Sequence, residues 1–247
     1  MVDVEKYIEK SFINPYLNSV AFEIRFPASV RIIKDFSEFH DLINEDLPNF
    51  GEEFPFFDFA EKSKSPENLK KYVFSDDNEK NKVRLSINAL TIVTKEYNQF
   101  DDFKEKINKI MTAFYNSFKV ENCLRMGLRY INIYSLNNDL NESLEEIKEL
   151  FNPFFSTELI PLNQVFSNNI EIRKNLPENN KITLRNKLQF NKAKHKFEHI
   201  LDFDVYTHSK IPIQHYENFL LNLRIYEKTE FLRFVTEKFM EKMKFLD

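Results

Sequence analysis

"LRMGLRYINIYS", residues 124–135, holds one of only two glycines in the 247 residues of this chain. Its alternation decides the fold. Leu124, Met126, Leu128 and Tyr130 fall on one side of an extended chain, and Arg125, Gly127 and Arg129 on the other. Period two over this length is a strand with one core face, running from Cys123 to about Tyr134. Each arginine Cα stands about 7 Å from that of the glycine. A glycine inside a strand weakens it and marks a bulge or a close approach by backbone or ligand. Two readings are open. Either Arg125 and Arg129 flank bare backbone as a shallow anion site, or a helix or aromatic ring packs onto Gly127 and the arginines pair with nearby acids.

Outward from this strand the pattern repeats. "VAFEIRF" (residues 20–26) alternates, with Val20, Phe22, Ile24 and Phe26 inward. "KYVF" and "VRLSINALTIVTKEY" read as strands with a turn or bulge near Asn88–Ala89. "DFSEFHDLINEDL" (residues 35–47) carries a helical stripe of Phe36, Phe39, Leu42, Ile43 and Leu47. "QFDDFKEKINKIMTAFYNSF" is the clearest helix, with Phe103, Ile107, Ile110, Met111, Phe114 and Phe118 on one side and Asp101 as its N-cap. Residues 48–70 read as a long loop pinned by Phe54, Phe56, Phe57 and Phe59.

The second half has the same order of events. "SLEE" at Ser143 has the form of a capping box opening a short helix. "NNIEIRKNL", "KITLRNKLQF" and "KFEHILDFDVY" are strands, the first two joined as a hairpin by "PENN". A long helix from about Gln214 to Met243 follows. Strands in consecutive groups, with helices between the groups, argue an α+β fold. It is mainly antiparallel sheet backed by helices, in two meander-plus-helix halves. The linker at residues 135–142 places the boundary, giving subdomains 1–138 and 139–247 packed as one compact unit.

Composition excludes more than it specifies. The net charge of −4 offers no global basic field for nucleic acid. A single Cys123 excludes an internal disulfide and a cysteine-cluster metal site. No run approaches the ~18 apolar residues of a membrane span, and the expectation is a cytoplasmic protein with no membrane contact. Two glycines cannot build a Walker or dinucleotide loop, so no cofactor is expected. The core is rich in flat rings, with 27 Phe and no Trp.

The segments "NSVAFEIRFP", "VRLSINALTIVTKEYNQFDDF", "LRMGLRYIN" and "ILDFDVYT" together resemble a sporadically distributed prokaryotic family of unknown function, known by a family number alone. The likeness spans almost the whole chain. Its most specific part is Arg-x-Gly-x-Arg-Tyr-x-Asn, here Arg125, Gly127, Arg129, Tyr130 and Asn132. Where such proteins often carry Trp before the central helix, this chain has Phe100 and Phe103. The resemblance implies no activity. Its sporadic distribution implies horizontal transfer, which is common among antiphage-defence and toxin–antitoxin genes.

Contact candidates are therefore Arg125, Gly127, Arg129, Tyr130, Asn132 and Arg185. Tyr130 and Tyr134 with Arg125, Arg129, Arg173 and Arg185 would form a basic, aromatic surface of the kind that binds single-stranded nucleic acid, or simply a solvated sheet face. Asp202 and Asp204, with Glu198, line one side of a strand. Such a row suits Mg²⁺ or cross-strand arginines. His195 and His199 share a strand face about 13 Å apart, too far for one ion, so no metal is expected. The reading favoured is a non-enzymatic binding or regulatory protein whose partner is a protein or a second copy of itself. The alternative is a nucleic-acid-binding or -processing enzyme that uses the Arg/Asp surface.

Overall fold

The computed structural model describes residues 3–13, 16–54, 70–151 and 167–244. Its elements confirm the α+β class, and the contacts within the chain group into two compact units. One comprises Ser19–Gly127 with Thr207–Leu220, and the other Met1–Asn18, Leu128–Tyr206 and Leu221–Asp247. The units thus interleave along the chain, whereas the linker suggested a cut at residue 138.

In the first unit β1 (Leu17–Arg25), β2 (Asn49–Glu53), β3 (Lys71–Ser75), β4 (Asn81–Ser86) and β5 (Ala89–Thr94) form a meander in the order β2-β3-β4-β5-β1. Every pair is antiparallel. Alternation fixes the register. Phe22 stands opposite Ile92, and Ile24 opposite Leu90, so apolar side chains meet on one face. The β4–β5 turn falls at Ile87–Asn88, within a residue of its predicted place.

Helices α2 (Arg31–Ile43) and α3 (Phe100–Phe118) supply the rest of this core. Phe39 meets Phe74 at 5.5 Å and Phe118 at 5.6 Å between ring centroids. The predicted α3 stripe is buried throughout. Its N-cap is Gln99 and not Asp101. Asp101 and Asp102 sit in the first turn, where carboxylates oppose the positive end of the helix dipole. Leu42 is 50% exposed, because the buried side of α2 runs through Ile32, Phe39 and Ile43. The expected loop at 48–70 begins as strand β2, and Phe54 is exposed. Phe56, Phe57 and Phe59 lie outside the described residues.

The opening stretch is two strands. β6 (Asn122–Cys123) pairs with β11 (Ile211–Pro212), and β7 (Arg125–Ser135) starts after a break at Leu124. There the amide of Leu124 donates to the Arg25 carbonyl at 2.6 Å. The break turns the Leu124 side chain outward, against the alternation, while Cys123 is buried.

In the second unit β7 is followed across the sheet by β10 (Lys196–Thr207), β9 (Asn180–Asn191) and β8 (Ser167–Asn175). The β8–β9 hairpin closes through Glu178 and Asn179, both at positive φ. Helix α4 (Leu140–Leu150) is capped by Asp139, whose side chain accepts from the Glu142 amide at 3.0 Å. Ser143, the expected cap, is buried one turn inside and donates to Asn137 at 3.1 Å. The expected long terminal helix is α5 (Tyr216–Phe234) and α6 (Glu237–Met243), with a short 3-10 turn at Ile213–His215 before them. They part because Thr236 caps α6 and its hydroxyl also bonds the Leu150 carbonyl at 3.0 Å. The four-residue α1 (Val4–Tyr7) completes this unit. Among the described residues no helix is long and apolar enough to cross a membrane.

Candidate functional site

What occupies the space above Gly127 is Arg125 itself. A Cβ at position 127 would stand 2.7 Å from Arg125 Nη1 and 3.1 Å from its Cζ. The arginine folds along its own strand, over the missing side chain, to donate from Nη1 to Glu23 Oε1 at 2.8 Å. Glu23 also accepts from Arg25 and from the Thr91 hydroxyl. Arg125 is 8% exposed. The glycine is thus a groove for a guanidinium, and the anion-site reading of a bare backbone patch is corrected: the patch is already covered.

Arg129 is committed elsewhere. Its Nε and Nη2 grip both oxygens of Asp202, at 2.7 and 2.6 Å. Arg185 Nη1 reaches the same carboxylate at 3.1 Å. Arg185 Nε then donates to Glu171 at 2.8 Å, and Glu171 also accepts from Arg173 at 2.9 Å. The row runs Arg129, Asp202, Arg185, Glu171, Arg173 across four neighbouring strands, β7-β10-β9-β8. It is the cross-strand pairing of opposite charges that stabilises a polar sheet face. The Asp202 side chain is 7% exposed and lies between the two arginines. Hydrogen bonds and ion pairs from Arg173 and Arg185 hold the Glu171 carboxyl below its usual range.

Tyr130, Asn132 and Tyr134 do not join this row. They fall on the opposite side of β7 and are buried. Arg224 of α5 lies over the Tyr130 ring at 5.3 Å, a cation–π contact. Asn132 donates to the Leu201 carbonyl at 3.4 Å. The Tyr134 hydroxyl bonds Glu146 and Lys242, each at 2.7 Å. The expected basic, aromatic surface therefore divides. Its arginines are on one face, and its tyrosines are structural on the other.

The carboxylate row divides too. Asp202 is held by arginine, Asp204 is half-buried, and Glu198 accepts from Asn191 at 2.9 Å and Lys194 at 3.0 Å. Burial raises the Glu198 carboxyl, but its hydrogen bonds overcome that and leave it below the usual range. His195 lies in the turn before β10 at positive φ, and not on the strand as expected. His199 is buried, its Nε2 lying 2.8 Å from the Asn186 side-chain oxygen. Burial pushes its pKa down to about 3. Among the described residues no group of three or more His, Cys, Asp or Glu side chains is placed to hold a metal ion.

One cluster was not anticipated. Glu227 of α5 is buried and bonded to Arg224 at 2.8 Å, and its neighbour Lys228 donates to the Lys10 carbonyl. Burial pushes the Glu227 carboxyl up, against the pull of Arg224 and Lys228. The sequence carries a signal for it: Glu227 sits in the helical stripe between Leu223 and Phe231, a position where an apolar side chain belongs.

No family model and no curated protein matches the chain. Among solved structures, the di-domain ARO/CYC StfQ from the steffimycin biosynthetic pathway aligns over 91% of this chain and 98% of its own. The identity is 6% and the TM-score 0.18, a superposition too poor to carry any argument.

Proposed function

We propose that the chain is a non-enzymatic binding or regulatory protein that engages a partner protein, or a second copy of itself, in the cytoplasm. The observation that supports this is the row from Arg129 to Arg173. Its five charges are spent on one another, three cations against two anions. A polyanion groove needs cations open to phosphate, and here each guanidinium already holds a carboxylate. What the row offers instead is a polar face whose side chains are paired with one another before any partner arrives. Such preorganisation reduces the ordering cost of a protein interface. The resemblance to a sporadically distributed prokaryotic family adds a defence or toxin–antitoxin locus as the setting.

The test is affinity purification from the native host, with mass spectrometry and nucleic-acid sequencing of what co-purifies. The parallel bait carries Arg173→Glu, an exposed member of the row. A protein retained at stoichiometric level by the native bait and lost from the variant is the expected result. Nucleic acid retained by the native bait, with binding that falls steeply as salt rises, would move the reading to the Arg/Asp enzyme.

A further inference from the structure

The first unit contains a cavity of about 270 Å³ between the end of α2, helix α3 and strands β4 and β5. Leu47, Val83, Ile92 and Ile110 supply apolar wall. At about 30 Å³ per water-sized heavy atom, the space suits a ligand of about nine heavy atoms.

Its polar side is built. Asn81 Oδ1 accepts from the Thr94 hydroxyl at 2.8 Å and from Lys106 Nζ at 2.9 Å, and Asn81 Nδ2 donates to Asp76 at 2.7 Å. This places the Lys106 ammonium at the lip, bonded to a neutral amide oxygen and with two further N–H donors. The other charges at the lip are matched. Lys82 pairs with Glu79 at 3.0 Å, and Asp46 with Lys109 at 2.7 Å. Asp76 faces Lys106 across Asn81.

We propose that this cavity binds a small amphipathic carboxylate of medium acyl length. The hydrocarbon lies among Leu47, Val83, Ile92 and Ile110, and the carboxylate accepts from Lys106. Apolar walls supply affinity, and among the described residues lining the cavity Lys106, whose ammonium is held by the Asn81 amide oxygen, sets the sign of the head group.

The probes are octanoate, octanol and octylamine, titrated into the full chain by calorimetry and by methyl NMR. Octanoate is expected to bind saturably, more tightly than the other two, with shifts at the methyls of Leu47, Val83, Ile92 and Ile110. Lys106→Met keeps the length and helical preference of the side chain and is exposed, so it leaves the fold intact. It should weaken octanoate about tenfold, as loss of a charged hydrogen bond does, and leave octanol unchanged. Octanol binding as tightly as octanoate would overturn the proposal. So would octanoate affinity unaffected by Lys106→Met, shifts confined to other methyls, or no saturable binding of any probe.

Discussion

A methyl group at position 127 would collide with the Arg125 guanidinium, and that collision separates two opposing effects. Alanine in place of strand glycine is worth about 0.5–1 kcal/mol when nothing else changes, since it restricts the unfolded chain. Gly127 has no positive φ to preserve. Yet in this chain the Arg125 guanidinium, the far end of a flexible side chain, must shift and strain its bond to Glu23. That strain offsets the backbone gain, so Gly127→Ala should be close to neutral, costing at most about 1 kcal/mol. In an Arg125→Ala background the same change should be neutral or stabilising. Denaturant titration of the four-member cycle reads this directly; a Gly127→Ala cost that is identical in both backgrounds would show that something other than Arg125 fills the space. The Asp202 pairs form a second cycle. Arg129 is 44% exposed and Arg185 remains on the carboxylate, so Arg129→Ala alone should cost about 1 kcal/mol. With Arg185→Ala added, Asp202 is left buried without a cation, and the loss should reach about 3 kcal/mol or more. Asp202→Asn in that double variant should recover most of it. If it recovers nothing, the stranded charge is not the cause.

At the scale of elements, α3 is the helix whose stripe is wholly buried, and Phe114 at its centre is 0% exposed. It meets Phe26 at 5.1 Å and Phe118 at 5.3 Å. Phe114→Ala should cost about 3–5 kcal/mol, the transfer and cavity terms of a large core truncation. A midpoint shift worth under ~1 kcal/mol would place the stripe outside the cooperative core. The α5–α6 joint is a smaller matter of capping. Thr236 accepts from the Phe239 amide at 3.4 Å and bonds carbonyls of α4. Thr236→Ala should cost about 1 kcal/mol and raise amide exchange in α6 before it does so in α5. Uniform exchange in both helices would mean that the joint is not held by its cap.

For the molecule as a whole, His199 gives stability a pH dependence of known sign. Its folded pKa of about 3 lies below the ordinary 6.5 because it is buried. The folded state refuses a proton that the unfolded state accepts. The stability is thus complete above pH 6.5 and is lost progressively as pH falls toward 3. A shift of that size corresponds to a loss of several kcal/mol, about 4–5 at the limit. Its surroundings offer no relief, since the ring is packed edge-on to Phe151 at 4.4 Å and its Nδ1 has no hydrogen-bond partner. His199→Gln keeps a donor for Asn186 and removes the titration. Melting temperatures between pH 7 and 4 should fall less steeply in that variant than in the native chain; parallel curves would assign the acid loss to other groups.

Period-two and helical patterning were enough to determine the α+β class, most strands and the buried stripe of α3, because each depends only on which residues alternate between water and core. The same patterning put Arg125, Gly127 and Arg129 on one face of β7 and Asp202 on one face of β10. It also left open whether the arginines meet a ligand or an acid. Strand neighbours supply the acids, bringing Glu23 to Arg125 and Asp202 to Arg129 across 102 and 73 residues of chain. Helix ends were misread at Asp101, Ser143 and Thr236 for a related reason: a cap forms where the chain turns, and at Thr236 the turn is set by bonds to α4. The cluster at Glu227 is the clearest case. A lone carboxylate in an apolar stripe is visible in the sequence, but whether it is solvated, ion-paired or buried depends on what packs over it. Sequence patterning thus determines which faces seek the core, while tertiary structure decides which charges meet, because Coulomb and hydrogen-bond partners are chosen by distance in space and not along the chain.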